Sequence, residues 1–217
     1  MAHVNDDTLV QRMAWRAQAH PGTLACLQKR HGVWRACTWG ELASQAQRVA
    51  TGLREAGLAE GEAVGVLSGA RLEAMVAVYA CQQAGLLPVL LNPNLAAGGM
   101  ATLAQKAAVV ALLAEDQEQV DKLADVQTRL PELRGCWVFD PKGTRGYTHV
   151  RVRPFAELAA ADATGPAGTV LSNAVGLFSA GIHTDPRFVA VSHADLMRLQ
   201  SAGASLGLVD GERVASL

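Results

Sequence analysis

Four short, wholly apolar runs set the terms for this chain: 63–67 (Ala-Val-Gly-Val-Leu), 87–91 (Leu-Pro-Val-Leu-Leu), 109–114 (Val-Val-Ala-Leu-Leu-Ala) and 136–139 (Cys-Trp-Val-Phe). Between them lie helical patterns at 71–84, 96–107 and 116–129, the last with Val120, Leu123 and Val126 turned inward. A strand without a polar face must be covered on both sides. The alternation therefore calls for an α/β fold, a parallel-rich sheet covered by helices on both faces. Its crossovers should be right-handed.

The segments that flank this series are less uniform. Residues 8–19 have helical spacing, with Leu9, Met13 and Ala17 on one face, and His20-Pro21-Gly22 stops them. Runs 24–28 and 33–37 read as a hairpin joined by Lys29-Arg30-His31-Gly32. Thr38-Trp39-Gly40-Glu41 spells a capping box, and the helix it opens carries Leu42, Ala46, Val49 and Leu53 to an end at Gly57. After Asp140 the pattern weakens: Pro141, Gly143 and Gly146 mark a loop, 155–161 fits a short helix, and Gly165-Pro166-Ala167-Gly168 reads as a linker. These signals divide the chain into an N-terminal α/β unit, 1–168, and the start of a second unit, 169–217.

Beyond the linker, an apolar strand at 174–178 breaks into a loop holding Gly181, Thr184, Asp185 and Pro186, and a second strand resumes at 188–191. Ser192 stands where a helix N-cap belongs, with Asp195 in the first turn. Converging backbone N–H groups at such a bend can hold an anion. Arg187 adds a planar fork of donors suited to phosphate.

Composition excludes several function classes. A net charge of -1 provides no basic field for nucleic acid. Four scattered cysteines with no Cys-x-x-Cys pair read as reduced cytosolic thiols rather than a metal site or disulfide framework. The polar N-terminus is no signal peptide, and no apolar run approaches the ~20 residues of a spanning helix. The expected location is cytoplasmic, or at most peripheral to a membrane. Trp15, Trp34, Trp39 and Trp137 are most simply core or partly buried residues, and Glu62 and Glu73 surface charges. Asn92 and Asn94 around Pro93 fit a solvent-exposed turn as well as a substrate-side loop. His193 fits local packing or hydrogen bonding better than catalysis.

The stretch from Leu177 to His193 resembles the phosphate-loop signature of the adenylate-forming superfamily of acyl-CoA synthetases, adenylation domains and luciferases. Phe178 takes its aromatic place, Ser179 its first hydroxyl, Gly181 its central glycine and Pro186 its proline, while Arg187 stands in for its lysine. Ala180, Ile182 and His183 replace three hydroxyl residues, Thr184 a glycine and Phe188 a small residue, so the loop is a degenerate version. Upstream, Thr38-Trp39-Gly40-Glu41-Leu42, the segment Gly57 to Val64, and Asp210-Gly211-Glu212-Arg213-Val214 are also similar to the family. Leu90 to Leu95 is similar to its fatty-acid-transport and very-long-chain branch.

The resemblance implies the N-terminal subdomain of the adenylate-forming fold, incomplete. It also implies a two-step ligase: a fatty acid or other carboxylate attacks the α-phosphate of ATP with Mg, and CoA then displaces AMP. Ser179, Gly181, His183, Thr184 and Arg187 would hold the nucleotide phosphates. The family's adenine pocket, magnesium glutamate, ribose aspartate and terminal lysine lie downstream of Leu217, so no catalytic or metal residue is expected here and the chain alone should be inactive. The alternative is a non-catalytic scaffold or interaction protein of the same descent. A dinucleotide-binding reading fails, because Gly65-Val66-Leu67-Ser68-Gly69 lacks the required Gly-x-Gly-x-x-Gly. An uncovered C-terminal strand at 213–217 would favour self-association.

Overall fold

The computed structural model describes residues 8–30, 32–147, 151–162, 168–179 and 185–205, with side chains to Leu199. The 165–167 part of the expected linker and the 213–217 strand lie outside them.

Helix α1 (Leu9–Ala19) opens on a capping box in which Thr8 Oγ1 accepts from Gln11 N and Gln11 Oε1 accepts from Thr8 N. Strands β1 (Leu24–Arg30) and β2 (Val33–Thr38) form a separate antiparallel hairpin. Helix α2 (Trp39–Glu55) starts at the expected second box: Thr38 Oγ1 accepts from Glu41 N at 3.3 Å and Glu41 Oε2 accepts from Thr38 N at 2.8 Å. It ends at Gly57, whose φ of 85° closes a turn that Leu58 N completes by donating to Leu53 O.

The main sheet comprises β3 (Ala63–Leu67), β4 (Leu87–Leu91), β5 (Val109–Ala114), β6 (Gly135–Val138), β7 (Val152–Pro154), β8 (Asn173–Phe178) and β9 (Phe188–Ser192). Their spatial order is β7-β6-β5-β3-β4-β8-β9, parallel except for the antiparallel β8–β9 pair. Strands β8 and β9 thus continue the same sheet beyond residue 168. The β4–β8 ladder registers at one residue pair, Val89 with Gly176. Buried Gln82 reinforces that seam by donating to Ala174 O at 2.7 Å.

Two core layers flank the sheet. On one face, α2 and α3 (Leu72–Gln83) bury Leu42, Val49, Leu53, Val76 and Ala80 against Val64, Leu113 and Trp137. On the other, α4 (Ala97–Lys106) and α5 (Gln117–Val126) bury Met100, Ala104, Val120 and Leu123 against Val89, Leu112 and Val138. Helix α3 is apolar nearly all round because it lies between α2 and the strands, with no wet face to make amphipathic. A 3-10 turn, Gln127–Arg129, replaces the last turn expected of α5.

The remaining elements are the short α6 (Phe155–Leu158) and α7 (His193–Ser205), capped by Ser192 Oγ, which accepts from Asp195 N at 3.1 Å. Strand β7 was not expected. It is three residues long, carries Pro154 at its end as an edge strand permits, and holds Arg153 over the Trp137 ring at 4.5 Å.

Two of the four tryptophans correct the sequence reading. Trp137 is buried and Trp39 partly so, but Trp15 and Trp34 are 57% and 62% exposed. Trp34 sits on a hairpin that is two-stranded among the described residues, where Lys29 covers part of its ring; Trp15 leans on Arg16 and His20.

Candidate functional site

The segments leaving β3, β4 and β8 emerge together at the carboxyl edge of the sheet, and a cleft of about 490 Å³ opens between them. Leu90, Leu95, Leu103, Leu177 and Phe178 form apolar walls, and Ser68, Asn92 and Ser179 add polar groups. Such edges are where open α/β sheets bind ligands.

The residues of the expected phosphate loop divide by position. Gly181, His183 and Thr184 lie outside the described residues. Ser179 and Arg187, at the loop's two ends, are brought together: Ser179 N donates to Arg187 O at 2.9 Å, and Ser179 Oγ accepts from Arg187 N at 3.1 Å. Those two amides are therefore consumed in closing the loop base. The Ser179 hydroxyl proton and the exposed Arg187 guanidinium are the donors these residues can turn toward an anion. Below them Phe178 and Phe188 pack ring to ring at 5.5 Å, over Gly176. A Cβ on Gly176 would lie 2.7 Å from the Phe188 ring, so the glycine makes room for the bulky residue at 188.

Lys106, at the end of α4, was not singled out by the sequence. It pairs with Asp185 at 3.3 Å and donates to Pro186 O at 3.2 Å, tying the loop's return limb to the neighbouring layer. A lysine closing a helix has an ordinary role there, so nothing in the sequence marked it. Lys122 holds the other wall by donating to Pro93 O. Asn92 both lines the cleft and makes a local turn, its Oδ1 accepting from Asn94 N at 2.9 Å.

The crevice between β3 and β5 is the sheet's topological switch point, since the chain leaves these strands into opposite layers. The protein closes it with its own carboxylate. Glu115 accepts from Gly69 N at 2.7 Å and from Ser68 Oγ at 3.2 Å, and pairs with Arg71 at 3.3 Å. Arg71 continues to Glu73, Glu73 to Arg30, and Arg30 to Asp140, so an ionic chain runs along this edge. Glu73, expected as a surface charge, is partly buried between two arginines. Glu62 is likewise paired, accepting from Ala59 N and from Arg134, which together offset its burial and lower its carboxyl pKa.

His193 is 4% exposed. Its Nδ1 accepts from Leu9 N at 3.1 Å, its Nε2 has no partner among the described residues, and burial pushes its pKa below the ordinary 6.5. The bond reaches across the sequence, whereas the sequence alone pointed to a local one. Burial also pushes the Cys81 and Cys136 thiols up to about 12, which leaves them protonated and inert.

Comparison with known proteins gives these observations a family. The chain is 30% identical over 99 residues to a 4-chlorobenzoate–CoA ligase from Arthrobacter sp, covering 46% of this chain and 19% of that protein. Among solved structures, acetoacetyl-CoA synthetase from Streptomyces lividans superposes with a TM-score of 0.82 at 22% identity, covering 95% of this chain and 34% of that one. An anthranilate CoA ligase solved with anthranoyl-AMP superposes with a TM-score of 0.76 at 18% identity, covering 87% and 35%. The chain thus spans a fifth to about a third of the length of these relatives. The fold is that of the N-terminal subdomain of adenylate-forming enzymes. Residues 13–216 match the family of AMP-binding enzymes, and the chain belongs to it.

Proposed function

We propose that this chain forms the phosphate-side portion of a CoA ligase of the acyl or aryl class, and that by itself it does not complete the reaction. One observation carries the proposal: the mutual closure of Ser179 and Arg187 at the mouth of an apolar cleft. In this reading the loop between them takes the β- and γ-phosphates of ATP, with Gly181, His183 and Thr184 as further members. The carboxylate substrate attacks the α-phosphate to give an acyl-adenylate and pyrophosphate, and the CoA thiol then displaces AMP. Positive charge and fixed donors around the phosphates supply most of the stabilisation in such a step.

The fit is to phosphate more than to base or metal. Ser179 and Arg187 offer a hydroxyl and a planar cation. Among the described residues no group of three or more His, Cys, Asp or Glu converges, so a divalent cation has no ready-made cage there. Apolar walls built from Leu90, Leu95, Leu103 and Leu177 favour a substrate with a hydrophobic body. A fatty acid is the substrate we favour, from the likeness of Leu90 to Leu95 to the fatty-acid-transport branch. The site of action we favour is the cytoplasm; among the described residues no helix is long and apolar enough to cross a membrane.

ATP–pyrophosphate exchange on the purified chain tests this. We expect no exchange with fatty, benzoic or anthranilic acids. Exchange above a protein-free blank, abolished by Arg187→Ala, would overturn the assignment of inactivity and leave the phosphate role standing.

A further inference from the structure

The β1–β2 hairpin carries a pair of nucleophiles that ligase chemistry leaves idle. Cys26 and Cys37 stand directly opposite each other in its antiparallel register. Opposed residues have Cα atoms roughly 4.5 or 5.5 Å apart, according to the kind of pair. A disulfide spans roughly 4.4–6.8 Å between Cα atoms, so either kind lies within reach. Side chains of an opposed pair leave the sheet on the same face, which brings the two thiols to one side of the hairpin. Cys26 is half-buried, whereas Cys37 is 3% exposed. The remaining cysteines have no such partner: Cys81 and Cys136 sit in the two opposite core layers.

We propose that Cys26 and Cys37 form a redox site, a cross-strand dithiol that a small-molecule disulfide such as oxidised glutathione converts to an intramolecular disulfide. The accessible Cys26 reacts first. Its thiolate attacks one sulfur of the small disulfide, a mixed disulfide forms on Cys26, and one small thiolate leaves. Cys37 then gives up its proton and attacks Cys26 Sγ, which expels the second small thiolate. Two protein thiols are oxidised by two electrons in all, one small disulfide is reduced to two thiols, and the two protons pass to those thiols.

Two features of the hairpin fit this order. Cys26 is the more exposed of the two, so it meets the small disulfide first although burial raises its thiol pKa. Cys37 is held up to about 11 by burial and by neighbouring Cys26 and Glu41, so it acts only once an activated sulfur stands beside it. Cys37 also immediately precedes Thr38, whose cap opens α2, and its Sγ lies 3.5 Å from Thr38 O. The disulfide would close the hairpin at the root of that helix and restrict the unfolded chain.

The test uses the full chain, incubated with oxidised glutathione, acid-quenched, alkylated and analysed by mass spectrometry after trypsin. Cleavage at Lys29 and Arg35 separates the two cysteines unless they are bonded. We expect the wild-type protein to lose two hydrogens, to yield one cross-linked peptide containing Cys26 and Cys37, and to melt at a higher temperature until reduced. Cys37→Ser should instead retain glutathione on Cys26, and Cys26→Ser should resist modification. A glutathione adduct that persists in the wild type, a link through Cys81 or Cys136, or no reaction at all would overturn the proposal.

Discussion

His193 and Leu9 are hydrogen-bonded across 184 positions of sequence: the imidazole Nδ1 accepts the backbone N–H that begins α1. The same residue starts α7, and its own N–H donates to Ser172 O at 3.0 Å. One residue therefore ties the N-terminal helix, through its side chain, to the segment entering β8, through its backbone. Acceptance at Nδ1 requires an unprotonated nitrogen there, in agreement with a pKa lowered by burial.

The sign of the resulting pH dependence follows. The unfolded histidine titrates near 6.5, the folded one below it, so in between the unfolded chain binds more protons. The stabilisation is present above pH 6.5 and is lost as pH falls from there through the folded value. Urea midpoints at about pH 7.5 and about pH 5.5 should differ in the wild type. His193→Asn, which keeps an acceptor near Nδ1 but cannot titrate, should flatten this component. His193→Ala should cost about 1–3 kcal/mol at neutral pH, from the unpaired Leu9 N–H and the space left behind.

Gly52 in α2 gives a test of packing against propensity. Ala in place of Gly normally favours a helix by about 1 kcal/mol. Here a Cβ would lie 2.4 Å from Leu158 O, a backbone atom of α6 that cannot easily retreat. Gly52→Ala should therefore destabilise by about 1–3 kcal/mol, as overpacking does. Ala108 is the converse: it is the non-glycine residue with positive φ (51°) among those described, and Ala108→Gly should stabilise slightly. Thermal unfolding of both variants checks the pair.

The phosphate reading predicts binding without base selectivity. Isothermal titration should give ATP and tripolyphosphate similar, weak affinities, in roughly the high micromolar range, because few donors contribute. Arg187→Ala should reduce both about tenfold or more, as expected for loss of a charged contact worth about 1.5–3 kcal/mol. A strong preference for ATP would require an adenine pocket.

Self-association is predicted at β9. Among the described residues this strand ends the sheet order, and Val189 on it and Leu199 on α7 are 46% and 64% exposed. An unpaired strand edge beside apolar side chains is a template for pairing. Light scattering at tens of micromolar should show oligomers, and Val189→Lys should reduce them. A monodisperse wild-type monomer would refute the prediction.

The sheet's centre was legible because burial on both faces leaves a signature that no loop imitates: 63–67, 87–91 and 109–114 became β3, β4 and β5 with the same bounds. Both capping boxes available to sequence reasoning behave alike, but Thr8–Gln11 escaped notice because glutamine signals the motif less plainly than the glutamate at 41. Strand β7 was invisible, since three residues with a central arginine have no period to detect. At the site, Ser179 and Arg187 were named from the sequence and do meet. Glu115 and Lys106 were not, because an acidic residue after a strand and a basic one ending a helix are common, and only topology brings the first to Gly69 and Arg71 and the second to Asp185 and Pro186.

The single registered pair between β4 and β8 bears on how the molecule moves. The β3–β5 core exchanges hydrogen bonds along whole strands, whereas the β8–β9 hairpin joins it through a narrow ladder and the Gln82 side chain, with Phe178 and Phe188 packed on one core layer and Lys106 reaching Asp185 and Pro186. Amide protons of 188–192 should then exchange with solvent well before those of 109–114, the hairpin opening as a unit while the centre stays shut. Ser179 and Arg187 would thus ride on the part of the sheet that breathes, and the ligand capture proposed for them would be coupled to local order.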